Sequence, residues 1–342
     1  LVALDGAMGE GGGQVLRTAL TLSAVTGQGF EITRIRARRS RPGLLPQHLA
    51  AIRAVAMACE ARVSGAFDGS PDLRFEPGRV TAGEFRFEIG TAGSVSLVLQ
   101  TILPVLATAG AASRVEVIGG THVPASPSFE YLARHWSATV REAGLVARLD
   151  LARAGFYPPG GGAVQAHVET WPRPAGRLDL SRRGERLSLA GVSGAARLKG
   201  DVARRQRDAA ARVLWEQRRL EAEWEVLDVD ADSPGSFLFL AATFEAGRGA
   251  FAFLGQRGVA AETMGDRAAR RLLHFLEEEE GAVDPHLADQ LVVPLALSGG
   301  GGRVTTVEVT RHLETAADVA SRFGVNASVW GRRGGPGGLE VQ

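Results

Sequence analysis

The sequence predicts an α/β (α+β) chain in which one βαβα-type unit occurs three times around an inserted segment. Three observations carry this. A glycine-rich entry, a helix, a strand with a polar end, a helix and a strand recur in that order three times. Residues 182–280 interrupt the series with a different texture. The chain has 342 residues, 45% of them hydrophobic, enough for a large core and more than one domain.

The first round opens with a short buried strand at Val2–Leu4, then Gly9-Glu10-Gly11-Gly12-Gly13-Gln14, with four glycines in five residues. Apolar residues at 15, 16, 19, 20, 22 and 24 fit one helical face, and Gly27 stops that helix. Phe30–Ile35 alternates as a strand and runs into Arg34–Arg41, five arginines in eight residues. Alternation would send Arg34, Arg36 and Arg38 to one face. Leu44–Ala61 is a second helix, followed by hairpin-like strands near 73–77 and 84–89.

The second round has its glycine entry at 90–93 and an apolar helix over 95–109 carrying Gln100. A strand at 114–118 ends in Gly119-Gly120-Thr121-His122, and a helix covers 129–143. Strands at 145–149 and 163–168 flank the turn Gly155-Phe156-Tyr157-Pro158-Pro159-Gly160-Gly161-Gly162. In the third round, Pro285–Gln290 opens a helix running to about 297. A strand at 304–309 ends in Arg311-His312, and a helix at 315–323 and a strand at 326–330 follow. Arg36–Arg41, His122 and His312 thus occupy equivalent strand ends and can converge on one centre. Between rounds two and three, 182–280 reads β-α-β-β-β-α and can fold as an inserted domain. The acidic run 277–280 reads as a solvated helix end.

Composition narrows the function. Net charge is +1, so any nucleic-acid signal is local. No apolar run is long enough for a membrane span and no secretory signal opens the chain. Cys59 is the only cysteine, which excludes a disulfide framework and a cysteine-rich metal site and makes a cytoplasmic home the default. Lys199 is the only lysine and precedes Gly200. A P-loop is therefore absent, as is the lysine nucleophile motif of classical nucleic-acid ligases.

The chemistry lies elsewhere. Glycines at a helix entry let backbone N–H groups approach an anion, and Gln14 and Arg17 share a face there; a tight turn with a surface arginine is the plainer alternative. Glu10 can bind a hard cation or sit in a turn. His312 is a candidate nucleophile, since neutral imidazole attacks phosphorus, or a structural histidine. Asp289 can orient a histidine, hold a metal or stabilise a helix start. The arginine run suits phosphates or forms a solvated basic face; no aromatic residue interleaves it for base stacking.

Five stretches together resemble the RNA 3′-terminal phosphate cyclase family: Leu4–Arg17; Ile35-Arg36-Ala37-x-Arg39 with Pro42-Gly43-Leu44-Leu45-x-Gln47-His48-Leu49; the turn Gly155–Gly162; Leu287-Ala288-Asp289-Gln290-Leu291; and His312-Leu313. The resemblance spans essentially the whole chain. It implies three βαβαββ repeats, like the C-terminal domain of translation initiation factor 3, forming a large domain at 1–181 and 281–342 with a smaller domain at 182–280 inserted. It also implies ATP and a divalent metal, Mg²⁺ or Mn²⁺. In that chemistry His312 attacks the α-phosphate of ATP and carries AMP, which passes to an RNA 3′-terminal phosphate. The 2′-hydroxyl then closes a 2′,3′-cyclic phosphate. By the same resemblance Arg17, Asp289 and Glu10 join His312 in catalysis, with Glu10 holding the metal. Gln14, Gln100, Pro124, His286, Asp289 and Gln290 bind the nucleotide, and Arg36, Arg39, Arg41 and Gln47 bind the RNA end. His286 replaces a tyrosine usual in the family, Ala316 a usual asparagine, and Ala154 a usual basic residue. A non-catalytic cyclase-like RNA-binding or ribosome-assembly protein is the rival expectation; an enolpyruvyl-type transferase shares the repeat but is twice the scale.

Overall fold

The computed structural model describes residues 1–171, 174–278 and 280–342. The first repeat comprises β1 (Val2–Asp5), α1 (Gln14–Thr26), β2 (Phe30–Thr33), α2 (Pro46–Ala58), β3 (Arg62–Ser64) and β4 (Leu73–Glu76). The second comprises β5 (Glu84–Glu88), α3 (Val95–Leu106), β6 (Ser113–Gly119), a π-helical turn (Tyr131–Trp136) leading into α4 (Ser137–Glu142), β7 (Ala147–Arg153) and β8 (Gly162–Val168). The third begins at β9 (Leu178–Leu180), and an insertion follows at once. It holds β10 (Arg186–Ala196), α5 (Val202–Arg218), β11 (Glu223–Asp228), β12 (Gly235–Phe244), β13 (Arg248–Leu254) and α6 (Ala261–Glu277). The repeat resumes with α7 (Pro285–Gln290), α8 (Val292–Ser298), β14 (Gly302–Thr306), α9 (Arg311–Arg322), β15 (Ala327–Gly331) and β16 (Gly337–Val341).

The three repeats share one topology. Their sheets run β1-β2-β4-β3, β5-β6-β8-β7 and β9-β14-β16-β15. In each, the first strand pairs parallel with the second, and the last lies antiparallel between the second and third. The parallel pair requires a helical crossover, which α1, α3 and α7–α8 provide. The inserted sheet runs β11-β10-β12-β13, and α5 and α6 pack on it around Leu214, Leu240 and Leu272.

The repeats bury their helices against one another. Leu16, Leu20, Ile52, Leu99, Leu287 and Leu313, one or more from each repeat, belong to one continuous core. Each side chain of this kind contributes about 1.5–3 kcal/mol on burial. The insertion is pinned to the second repeat by Phe156 and Tyr131 packing among Phe237, Phe239 and Val192, and by Arg134, which grips Glu225 at 2.5 and 2.7 Å.

Several local readings change. The arginine run does not continue a strand: β2 ends at Thr33, and Arg34 (φ 56°) and Arg36 (φ 55°) take left-handed turn conformations. No alternating basic face exists there. The strands near 73–77 and 84–89 are not a hairpin; β4 closes the first sheet on the short β3, and β5 opens the second. The helix expected over 285–297 breaks at Leu291 into α7 and α8. The helix expected from 315 starts at Arg311, because the Thr310 hydroxyl caps it by accepting from the Leu313 N–H at 3.0 Å. Of the acidic run 277–280, Glu277 ends α6 exposed to solvent, and residue 279 lies outside the described residues. No helix among the described residues is long and apolar enough to cross a membrane.

Candidate active site

The glycine loop sits where the first and third repeats meet. Gly13 precedes α1 with no side-chain cap, so the N–H groups of the first turn stay open to a ligand. The glycines are required by close neighbours. A Cβ on Gly13 would lie 2.5 Å from His48 Nε2 and 2.6 Å from Arg17 Nη1; one on Gly9, at φ +56°, would lie 1.9 Å from Thr315 Oγ1. The first turn of α9 therefore rests directly on this loop.

That contact brings His312, the second residue of α9, to Glu10. His312 Nε2 stands 2.8 Å from Glu10 Oε2, and Arg39 Nη2 lies 3.2 Å from the same oxygen. Burial alone would raise the Glu10 pKa, but the His312 hydrogen bond and the charges of His312, Arg39 and Arg17 hold it below the usual carboxylate value. The Glu10 hydrogen bond in turn raises His312 against the opposing effect of burial, with the Asp289 charge assisting.

Arg17 is pushed down to about 10 by burial, with Glu10 and Asp289 opposing; it remains a cation at neutral pH. Its Nη2 donates to Gln14 Oε1 at 3.0 Å, fixing the pair on one face of α1. Asp289 is pushed up to about 8, chiefly by burial, and its Oδ2 accepts from the Thr310 hydroxyl at 3.4 Å. The cap of α9 thus links Asp289 to the helix carrying His312.

A cavity of about 590 Å³ opens beside these groups. Gln14, Arg17 and Gln100 line it from α1 and α3. His286, Asp289 and Gln290 line it from α7, and His312 stands at its edge. Gln100 Nε2 donates to Gln290 Oε1 at 2.6 Å, joining two walls. The sequence reading missed the remaining walls: Tyr131 and Trp136 of the π-helical turn, and Phe251, Phe253 and Arg271 of the insertion. The Trp136 Nε1–H has no hydrogen-bond partner among the described residues.

Other expected residues fall outside this cavity. Pro124 is exposed, and Ala125, Ser126 and Pro127 line the wall instead. Arg36 Nη1 donates to the Gly43 carbonyl at 3.1 Å and to that of Arg41, bracing the arginine turn. Arg41 is exposed. Gln47 Oε1 accepts from the Ser94 N–H at 3.3 Å, holding α2 to the start of α3. His122 does not converge on the site. It is buried 2.8 Å from Glu130 and stacks on Phe237 and Phe156, ring centroids 4.3 and 5.2 Å away.

Two positions matter that sequence reasoning did not single out. Asp284, rather than Asp289, caps α7: Oδ1 accepts from the His286 and Leu287 N–H groups, both at 3.1 Å, and from Tyr131 Oη at 2.8 Å. Its Oδ2 lies 2.7 Å from His135 Nε2 and accepts from the Ala250 N–H at 3.2 Å. One carboxylate therefore ties together three walls of the cavity. An aspartate directly before Pro285, at the entry to the predicted helix, was the available signal. His48 lies beneath Gly13, and its Nδ1 accepts from the Leu45 N–H at 3.0 Å, which places the neutral ring's proton on Nε2.

As to a metal, no group of three or more His, Cys, Asp or Glu side chains among the described residues is arranged to hold one. A single carboxylate, Glu10, beside an open helix start suits a hard cation that takes most of its ligands from phosphate and water. Glu10 is thus one oxygen that Mg²⁺ or Mn²⁺ could share with phosphate and water.

The profile of the RNA 3′-terminal phosphate cyclase family matches residues 8–329. Proteins named RNA 3′-terminal phosphate cyclase from Ralstonia nicotianae, Methylococcus capsulatus and Caldivirga maquilingensis are 46%, 42% and 41% identical to this chain. The alignments cover 94%, 95% and 96% of this chain and 91%, 91% and 94% of the relatives.

Proposed function

The chain belongs to the RNA 3′-terminal phosphate cyclase family, and on that premise we propose that it converts an RNA 3′-terminal phosphate to a 2′,3′-cyclic phosphate, using ATP through a histidine-bound AMP. The observation that carries this reading is His312 at the head of α9, 2.8 Å from Glu10 and at the edge of a cavity also lined by Arg17 and Asp289.

Nε2 of His312 is the attacking atom. The hydrogen bond to Glu10 raises the His312 pKa, and an Nε2 that carries the shared proton has no lone pair to offer. When Glu10 turns its carboxylate to another partner and the Nε2 proton passes to water, the neutral ring has a lone pair on Nε2 and becomes a nucleophile. Nε2 bonds to the α-phosphorus of ATP, the bond to the β-phosphate oxygen breaks, and pyrophosphate leaves. An oxygen of the RNA 3′-phosphate then attacks the same phosphorus, and the N–P bond breaks. The neighbouring 2′-hydroxyl attacks the activated 3′-phosphate, loses its proton and expels AMP. That last step joins groups on one ribose, a proximity advantage of up to ~10⁵–10⁸ M in effective molarity.

Arg17 neutralises charge developing on the α-phosphate from the floor of the cavity. Gln14, Gln100, His286 and Gln290 hold the nucleoside, with Pro127 replacing Pro124 in that role. Arg39, at 3.2 Å from Glu10, and the Arg36–Arg41 turn receive the RNA end. Glu10 would hold Mg²⁺ or Mn²⁺, which when bound would offset phosphate charge. The repeats at 1–181 and 281–342 act as the catalytic domain, and 182–280 as an inserted domain that closes one side of the nucleotide cavity.

The test is self-adenylation. Protein is mixed with ATP labelled at the α-phosphate and a divalent metal, quenched and denatured. The expected adduct is acid-labile and base-stable, as a phosphoramidate is, and absent from His312→Ala. A folded wild-type protein that forms no adduct overturns the mechanism and leaves the non-catalytic RNA-binding reading.

A further inference from the structure

The exposed face of the third sheet carries an aromatic residue and unpaired arginines that the nucleotide site does not use. In β14, β15 and β16 the residues facing away from the helices are Arg303, Thr305, Ser328, Trp330, Gly338 and Glu340, as register and alternation require. Trp330 pairs with Gly338 across β16, and its six-membered ring lies over that glycine: a Cβ there would be 2.4 Å from Cζ2 and 2.7 Å from Cη2. The indole thus reaches across the sheet, half-buried, with the Arg303 guanidinium 5.1 Å from its centroid. It forms one wall of a groove of about 430 Å³ whose other walls include Ser181, Arg182, Thr305 and Pro336.

The loop that borders the groove leads to the head of α9. From Trp330 the chain runs Gly331-Arg332-Arg333-Gly334-Gly335-Pro336, with two arginines and no acid. This loop is fastened to the residue before the α9 cap. The Val309 N–H donates to the Gly335 carbonyl at 2.8 Å, and the Gly334 N–H to the Val309 carbonyl at 3.0 Å. Arg333 pairs with Glu314 in the first turn of α9 at 2.5 Å. Arg182, Arg303 and Arg332 are exposed and have no ion-pair partner among the described residues. Among the described residues, Glu280 is the one carboxylate lining the groove. A half-exposed aromatic ring with cations spaced along a path is a pattern that holds single-stranded nucleic acid, base on ring and phosphate on guanidinium. The covering of Gly338 accounts for the position of the ring but not for the arginine loop leading from it to His312.

We propose that this groove is an accessory subsite for single-stranded RNA, in which Trp330 stacks on a base several nucleotides upstream of the 3′ end while Arg332, Arg303 and Arg182 contact the intervening phosphates. This rests on the reading of the cavity beside His312 as the site that receives an RNA 3′ end. The subsite selects unpaired over duplex ends, because a base inside a duplex cannot leave its stack to meet the indole.

The test uses fluorescence anisotropy with 3′-phosphorylated oligouridylates of two to twelve nucleotides, without ATP. Wild-type affinity is expected to rise with length and then level off. Trp330→Ala should lose about tenfold for the long oligomers, in the range expected of one base stack, and nothing for the shortest; Trp330→Phe should restore most of the loss. Arg332→Ser with Arg303→Ser should make the salt dependence of long-oligomer binding shallower by about 0.7 in log–log slope per lost phosphate contact. Equal affinity of wild type and Trp330→Ala at every length overturns the proposal, as does a loss that includes the shortest oligomer. Self-adenylation, measured alongside, reports on the cyclase reading separately: wild type without adduct but with Trp330-dependent RNA binding would sink the mechanism and spare the subsite. Normal adduct formation by Trp330→Ala would show that the variant is folded.

Discussion

His48 offers a quantitative test of how the glycine loop is built. The ring is 2% exposed, accepts from the Leu45 N–H at Nδ1, and lies near the cationic Arg17 and Arg36. Burial, followed by those two charges, pushes its pKa from 6.5 to about 3. Protonation would also turn the acceptor at Nδ1 into a donor facing an N–H. The sign follows: between about pH 3 and 6.5 the unfolded chain binds a proton that the folded protein refuses, so stability is complete above 6.5 and falls as the solution is acidified. At about 1.36 kcal/mol per pH unit the gap amounts to as much as 4–5 kcal/mol. The perturbation is His48→Asn, whose Oδ1 can take over the acceptor role of Nδ1 without a titrating proton. Lost packing should cost the variant about 1–2 kcal/mol at pH 7.5. The wild type should then lose ground relative to it below pH 6.5, the two stabilities crossing at about pH 5–5.8. Urea denaturation at half-unit intervals from pH 8 to 4.5 measures both. Parallel stability curves would refute the reasoning, as would a His48 resonance titrating near 6.5.

Three further outcomes are expected. In Glu10→Gln the charged acceptor that raises His312 is replaced by a neutral amide, so the imidazole should titrate at lower pH by NMR; an unchanged titration would remove the Glu10 charge as the cause. Asp284→Ala should destabilise the protein by about 3–5 kcal/mol in chemical denaturation, since Tyr131, His135 and three backbone N–H groups lose one shared acceptor, with Asp284→Asn milder; a loss under 1 kcal/mol would contradict its role in joining the walls. Arg39→Ala should impair use of the RNA end more than self-adenylation, and equal loss of both would reassign Arg39 to the nucleotide step.

What could be read from the sequence was mostly local. The glycine loop, Gln14 with Arg17, and the repeat order follow from periodicity and residue type, and the structure sets Arg17, Asp289 and His312 on one cavity with Glu10 against His312. The arginine turn was unreadable because nothing in its composition announces positive φ at Arg34 and Arg36. His122 looked equivalent to His312 by position, but Phe237, over a hundred residues away, buries it. Strands as short as β3 and β9 give too few residues for alternation to register. That Phe251 and Phe253 face a nucleotide-sized cavity depends on docking the insertion, which no local pattern encodes. Asp284 and Thr310, by contrast, carried ordinary capping signals just ahead of helices.

The place where the insertion enters the third repeat bears on the kinetics of folding. Parallel pairing in the first two repeats joins Val2 to Phe30 and Glu84 to Arg114, but in the third it joins Leu178 to Gly302. The separation is roughly four times longer, which as free chain costs about 1.2 kcal/mol more in closure entropy. β9 has three residues with which to recover that cost. The insertion shortens the effective loop once folded, because Arg248 at the start of β13 bridges to Val283, and Val283 to Thr306 at the end of β14. The first two sheets can therefore close unaided, whereas the third closes readily only on a folded insertion. Destabilising the α5–α6 face should accordingly delay assembly of the third sheet and of α9, the helix that carries His312.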